Sequence, residues 1–147
     1  MFEMPLKTRQ SHVRHSRVET LRPRKGAAII ELAVCLPLLV IVSLATIEAC
    51  AMIFLKQTLA VAAFEGARTG LLPGSAPMNV EAQCALIMND HSISTFSVAM
   101  QPSDPSALLD GDYFRVEVSA PCAPNSLIGG WFYAGQSLTE SVELVYH

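Results

Sequence analysis

Between residues 27 and 55 the chain reads AAIIELAVCLPLLVIVSLATIEACAMIFL, mostly apolar and uncharged except for Glu31 and Glu48. Crossing a hydrocarbon core of about 30 Å takes roughly 20 mostly apolar helical residues. The uncharged run between the two glutamates, residues 32–47, is 16 residues long, or about 24 Å of helix. That is slightly short, so a spanning helix over 27–55 must place Glu31 near one interface and Glu48 near the other. At mid-membrane each carboxylate would cost about 2.5 kcal/mol or more. A buried core helix is the competing explanation, but such helices seldom run this far with so few polar residues. Beyond residue 55 the pattern turns amphipathic without stopping. Leu59, Ala63, Ala67 and Leu71 recur every four residues, with Lys56, Thr58, Glu65 and Arg68 on the polar side. Pro73-Gly74 is a strong stop signal, so an extension over 56–72 follows the span. The helix would measure about 69 Å if unbroken, with a bend expected at Pro37.

Residues 73–80 are rich in Pro, Gly and Ser and read as a linker. A short helix is expected over 80–89, with Val80, Cys84, Ile87 and Met88 on one side. Three strands are expected over 93–100, 113–119 and 141–146. The clearest has Phe114, Val116 and Val118 alternating with Arg115 and Glu117. The fold class is therefore α+β: a long N-terminal helix running into a small body, 73–147, with one short helix and about three antiparallel strands.

Composition sharpens this picture. The chain has 147 residues, 51% hydrophobic and only 16% charged, where roughly a quarter charged is usual for a soluble domain. One domain is the expectation at this length. The net charge of −3 conceals an asymmetry. Before Gly26 seven Lys/Arg face two Glu, giving +5; after it three face eleven Asp/Glu, giving −8. Positive charge on one flank of a span stays in the cytoplasm, so residues 1–26 are expected inside and everything after residue 55 outside. A basic arm can also bind nucleic acid, but this one lacks interleaved aromatics and abuts the apolar helix; no nucleic-acid partner is expected. The apolar run is too long for an ordinary cleaved signal, and Pro37 sits within it rather than near its end.

The junction Arg24-Lys25-Gly26-Ala27-Ala28-Ile29-Ile30-Glu31 resembles the processing site of type IV prepilins. In that family a basic leader ends in glycine and a membrane-embedded peptidase cuts after it. The resemblance implies that Gly26 ends the leader, that Ala27 becomes the amino terminus, and that Glu31 is the fifth mature residue. Glu31 then lies on the same helix face as the Ala27 amine, where the two charges can offset each other or a neighbour's. Farther on come Cys35-Leu36-Pro37-Leu38-Leu39, Ile47-Glu48 and Ala63-Phe64-Glu65-Gly66-Ala67-Arg68. These segments resemble the TadE-type minor pilins of tight-adherence (Flp, type IV-like) systems, whose TadF relatives share the layout. On that resemblance Pro37, Glu48, Glu65, Gly66 and Arg68 are family-motif positions. It implies a pilin-like subunit in the bacterial inner membrane, supporting attachment or secretion. Membrane lipid, a prepilin peptidase, other pilins or pseudopilins and the assembly machinery are its expected partners. The alternative is an uncleaved signal-anchored envelope protein whose external domain binds a ligand.

No enzymatic chemistry is expected. Phosphate-loop, nucleophile-elbow and paired-carboxylate patterns are missing, and neither cofactor nor metal is implied. His12 and His15 belong to the leader, His147 is terminal and His91 has only Asp90 beside it. Asp104, Asp110 and Asp112 miss the calcium-loop spacing. A body this small commonly needs a staple. Cys84 and Cys122 are a candidate disulfide in an oxidising compartment, with two buried free thiols as the alternative. Cys35 and Cys50 are expected to pack in the membrane helix. The segment Gly129-Gly130-Trp131-Phe132-Tyr133 is expected in the core in preference to an exposed contact patch.

Overall fold

A computed structural model describes residues 25–130 and 132–147. The leader up to residue 24 and Trp131 lie outside the described residues. The chain divides into two units, Met1–Cys35 and Leu36–His147. In the first, residues 25–35 are helical, and the side chains from Gly26 onward are exposed.

One helix, α1, runs Lys25–Gly70 with Pro37 inside it. The helix is continuous through Pro37, where a bend is expected. Its end is set by packing as well as by Pro73-Gly74, since Gly70 lies against the Phe114 ring. Helix α2, Pro77–Asp90, starts earlier than the residue-80 expectation because Pro77 occupies its first turn, where a missing N–H costs nothing. It closes with Ile93 N–H donating to Met88 O (2.9 Å) and Ser92 N–H donating to Asn89 O (3.0 Å). Ser92 holds φ +59°, which makes this a Schellman end with a serine where glycine is usual. Ile93 and Met88 are both buried, so residues expected to open the first strand instead cap the helix.

The sheet is antiparallel in the order β1-β2-β3: β1 Ser97–Gln101, β2 Tyr113–Pro121 and β3 Ser137–Val145. The central strand has the alternation expected of it, with Phe114, Val116, Val118 and Ala120 buried. Strand β3 starts four residues before the expected 141, pairing Ser137 with Pro121 and Leu138 with Ala120. Its inner face reads Leu138, Glu140, Val142, Leu144, and the glutamate hides the period. Glu140 reaches Lys56 on α1 at 3.4 Å, while Arg115 and Glu143 pair across the outer face at 2.7 Å.

The sheet's inner face and α2 both pack on the second half of α1. Met52, Leu55, Leu59, Ala62, Ala63 and Ala67 are buried there, together with Val80, Cys84 and Met88 from α2. Val116 lies at Gly66 and Phe114 at Gly70. Four helical residues rise about 6 Å and two strand residues about 6.7 Å, so β2 runs back along α1 nearly in step with it.

Candidate functional site: the spine helix and its motif residues

The family-motif positions separate into two environments on α1. In the first unit Gly26 has open space around it, and Ala27 and Glu31 are exposed. α1 contains an 18-residue apolar window of mean hydropathy 2.6, none of it buried. Leu36, Leu38, Val40, Ile41, Val42 and Leu44 are among its exposed side chains. The helix is long and apolar enough to cross a membrane. Pro37 lies in this stretch.

From Glu48 onward α1 becomes the body's spine. Glu48 is fully buried in the body. Its Oε2 accepts from Ile128 N–H at 3.4 Å, and its Oε1 has no partner. The loop between β2 and β3 that supplies Ile128 is held by Ser126, whose Oγ accepts from Gly130 N–H at 2.6 Å and from Ile128 N–H at 3.3 Å. No sequence signal joins residues 48 and 128, because the link depends on β2 running the full length of the spine. Body packing therefore begins inside the stretch read as membrane span, seven residues before residue 55.

Glu65, Gly66 and Arg68 divide their roles. Glu65 and Arg68 form a loose surface pair at 3.8 Å, worth only tenths of a kcal/mol. Gly66 is a crossing point. A Cβ built there would stand 2.5 Å from Cys84 Sγ and 3.5 Å from Val80 and Val116. Only a residue without a side chain lets α2 and β2 meet α1 together. Gly70 and Phe114 form a second such contact that sequence reasoning missed, although a glycine one helical turn after Gly66 was a usable signal.

The structure does not bring Cys84 and Cys122 together; both are buried free thiols. Cys84 Sγ donates to Ala62 O at 3.3 Å and lies with Val116 at Gly66, whereas Cys122 follows the end of β2, six residues beyond Val116. Six strand residues rise about 20 Å, far beyond the reach of a disulfide. Burial pushes the Cys84 thiol up to about 11, with nearby Glu81 adding to it against the lowering effect of its backbone hydrogen bond. Burial and the Glu48 charge push Cys122 up as well. Apolar packing takes the place of the expected staple. Cys35 and Cys50 are free and exposed.

Among the described residues no group of three His, Cys, Asp or Glu could hold a metal ion. The glycine-flanked aromatic segment is split. Tyr133 packs against the core, but Phe132 is half exposed, contrary to the core expectation for it. With Ile41, Leu44 and Ile128 it lines an apolar cavity of about 420 Å³.

Residues 26–68 match the family model described as TadE-like protein. That stretch starts at the glycine before Ala27 and ends at Arg68, two residues short of the end of α1. No curated protein and no solved structure matches the chain.

Proposed function

We propose that this protein is a minor pilin or pseudopilin of a tight-adherence pilus system. In this reading residues 1–26 remain in the cytoplasm and are removed by a prepilin peptidase. The apolar part of α1 crosses the inner membrane and the α+β body lies outside it. The observation that carries the reading is the coincidence of the TadE-like match with α1. One helix supplies an apolar, unpacked first part and a second part on which the body is built. Glu48 favours it too. Once that carboxylate is enclosed by the body, the side chains left to meet lipid are uncharged from residue 32 to 55. That run is 24 residues, where about 20 suffice.

Assembly then means moving the apolar segment from lipid into contact with other subunits' helices. Lipid is as apolar as the helix, so association draws on close packing and charge pairing and not on a hydrophobic gain. Cutting after Gly26 creates an amine on Ala27, and Glu31 offsets that charge or a neighbouring subunit's. Mass spectrometry of the membrane-extracted protein should give a chain starting at Ala27; a full-length chain, or one trimmed beyond the apolar run, refutes the proposal. In the same experiment Glu31→Ala should leave cleavage intact and reduce surface filaments, while normal filaments would remove the pairing role.

A further inference from the structure

We propose that the loop between β2 and β3 is a second membrane contact, seating Leu127, Ile128 and Phe132 in the outer leaflet beside α1. The proposal rests on the preceding reading of α1 as a membrane span with the body outside. Its partner is the acyl chains and glycerol level of the bilayer.

Charge is the first argument. Residues 118–139 form a run of 22 without Asp, Glu, Lys or Arg, in a body that otherwise carries most of the chain's acidic residues. That run covers the end of β2, the loop and the start of β3, which form the end of the body nearest Glu48 together with the turn after α2, where His91 lines a pocket with Leu127 and Asp90 is the neighbouring charge. The opposite end, where Phe114 meets Gly70, has Asp104, Asp110 and Asp112 in its connecting segment.

Depth is the second argument. Ile128 and Phe132 line one cavity with Ile41 and Leu44. Those two helix residues are 58% and 39% exposed and fall within the uncharged run 32–47. The loop therefore reaches past Glu48 to helix residues that must face acyl chains if α1 spans. Leu127 and Phe132 are 71% and 50% exposed, and the cavity between loop and helix is apolar. Lipid tails fit such a cavity without a polar partner to desolvate.

The third argument is the backbone. Irregular chain is tolerated at hydrocarbon depth only where its polar groups are satisfied within the protein. Ser126 Oγ takes the N–H groups of Ile128 and Gly130. Tyr133 N–H donates to Gly130 O, and Gln136 N–H donates to Tyr133 O. The loop thus presents apolar side chains while several of its amides are already bonded. It also roofs Glu48, keeping water and headgroups from a carboxylate that has one donor.

The test uses the full chain in phosphatidylcholine vesicles, with or without bromine near the midpoint of the acyl chains, and reads tryptophan quenching. Trp131 is the sole tryptophan, so replacing it with Phe leaves a dark background for single probes. Three are needed: Phe132→Trp in the loop, Leu38→Trp in the apolar helix and Leu109→Trp at the far end of the body. The expected result is quenching at 132 comparable with that at 38 and several-fold greater than at 109. Quenching at 38 with 132 behaving like 109 overturns the loop contact and leaves the span standing. No quenching at 38 overturns both. Loss of quenching at 132 as the protein-to-lipid ratio rises means a second copy covers the loop, which also overturns a lipid partner. Leu127→Trp repeats the reading from the other side of the loop if Phe132→Trp does not fold.

Discussion

Gly66→Ala is the sharpest test of the packing that holds the body to its helix. In an open helix this change should stabilise, since glycine in a helix interior costs about 0.8–1.0 kcal/mol relative to alanine. Here the new methyl would stand 2.5 Å from Cys84 Sγ, about 1 Å inside ordinary van der Waals contact. Cys84 cannot easily yield, because its side chain is short, buried and bonded to Ala62 O. Val80 and Val116 close the space on either side at 3.5 Å. Overpacking of this kind costs about 1–3 kcal/mol, so after the propensity gain of about 1 kcal/mol the net loss should be about 0–2 kcal/mol. At about 4–8 °C per kcal/mol for a domain of this size, thermal unfolding in mild detergent followed by near-ultraviolet circular dichroism resolves it. Cys84→Ala alone removes the sulfur and its hydrogen bond, for a loss of about 1 kcal/mol. In that background the Gly66→Ala methyl has room, and the change should become neutral or stabilising. The cycle should therefore show a coupling of about 2 kcal/mol. A stabilised Gly66→Ala single variant, or additive effects in the double, would refute the crossing-point argument.

Two further outcomes follow from local chemistry. Ser92→Gly should raise the body's stability by about 1 kcal/mol, since the residue sits at φ +59°, where a side chain costs roughly 1–2 kcal/mol; an unchanged or lower unfolding temperature counts against the helix end described. The Cys84 thiol is pushed from 9.0 to about 11, so the folded state holds this proton more tightly than the unfolded chain. Its contribution is complete below pH 9 and is lost as pH rises toward 11. Chemical denaturation across that window should show a fall in stability that Cys84→Ala makes smaller, and identical slopes in the two proteins would refute it.

What could be read from the chain without coordinates follows from where each signal is local. The apolar run, the continuing four-residue repeat and the alternation in β2 depend on residues close in sequence, and all three correspond to elements of the structure. The edge strands were less legible. Glu140 interrupts the inner face of β3 because Lys56 waits for it on a distant helix. Ile93 and its neighbours carry a β-like composition, yet the first of them completes the end of α2. A carboxylate beside an apolar run suggests contact with water, yet Glu48 is enclosed by protein. Its enclosure depends on a loop eighty residues later. The cysteine pairing failed for a related reason: two cysteines in a small exported body suggest a bond, but α2 and the end of β2 meet α1 at different heights. The motif glycine was visible as a motif, while its cause, a sulfur and two valines around one Cα, was not.

The position of Glu48 bears on how the subunit would transmit force. Within Leu36–His147, α1 passes without a break from exposed apolar residues to the buried spine at Glu48, Met52, Leu55 and Leu59. No linker separates the anchor from the body; the Pro/Gly/Ser-rich segment lies beyond Gly70, where it joins α1 to α2. Turning or lifting the apolar segment must therefore turn or lift the sheet with it, because β2 is seated along the same helix at Gly66 and Gly70. A hinge in place of this junction would let the body lag behind its helix during transfer out of lipid. The direct continuation makes the orientation of the body's surface a consequence of how the helix packs. Were the loop seated in lipid as proposed, it would act as a stop that fixes how deep the body sits before assembly, and its lipid contacts would be given up as the helix leaves the bilayer.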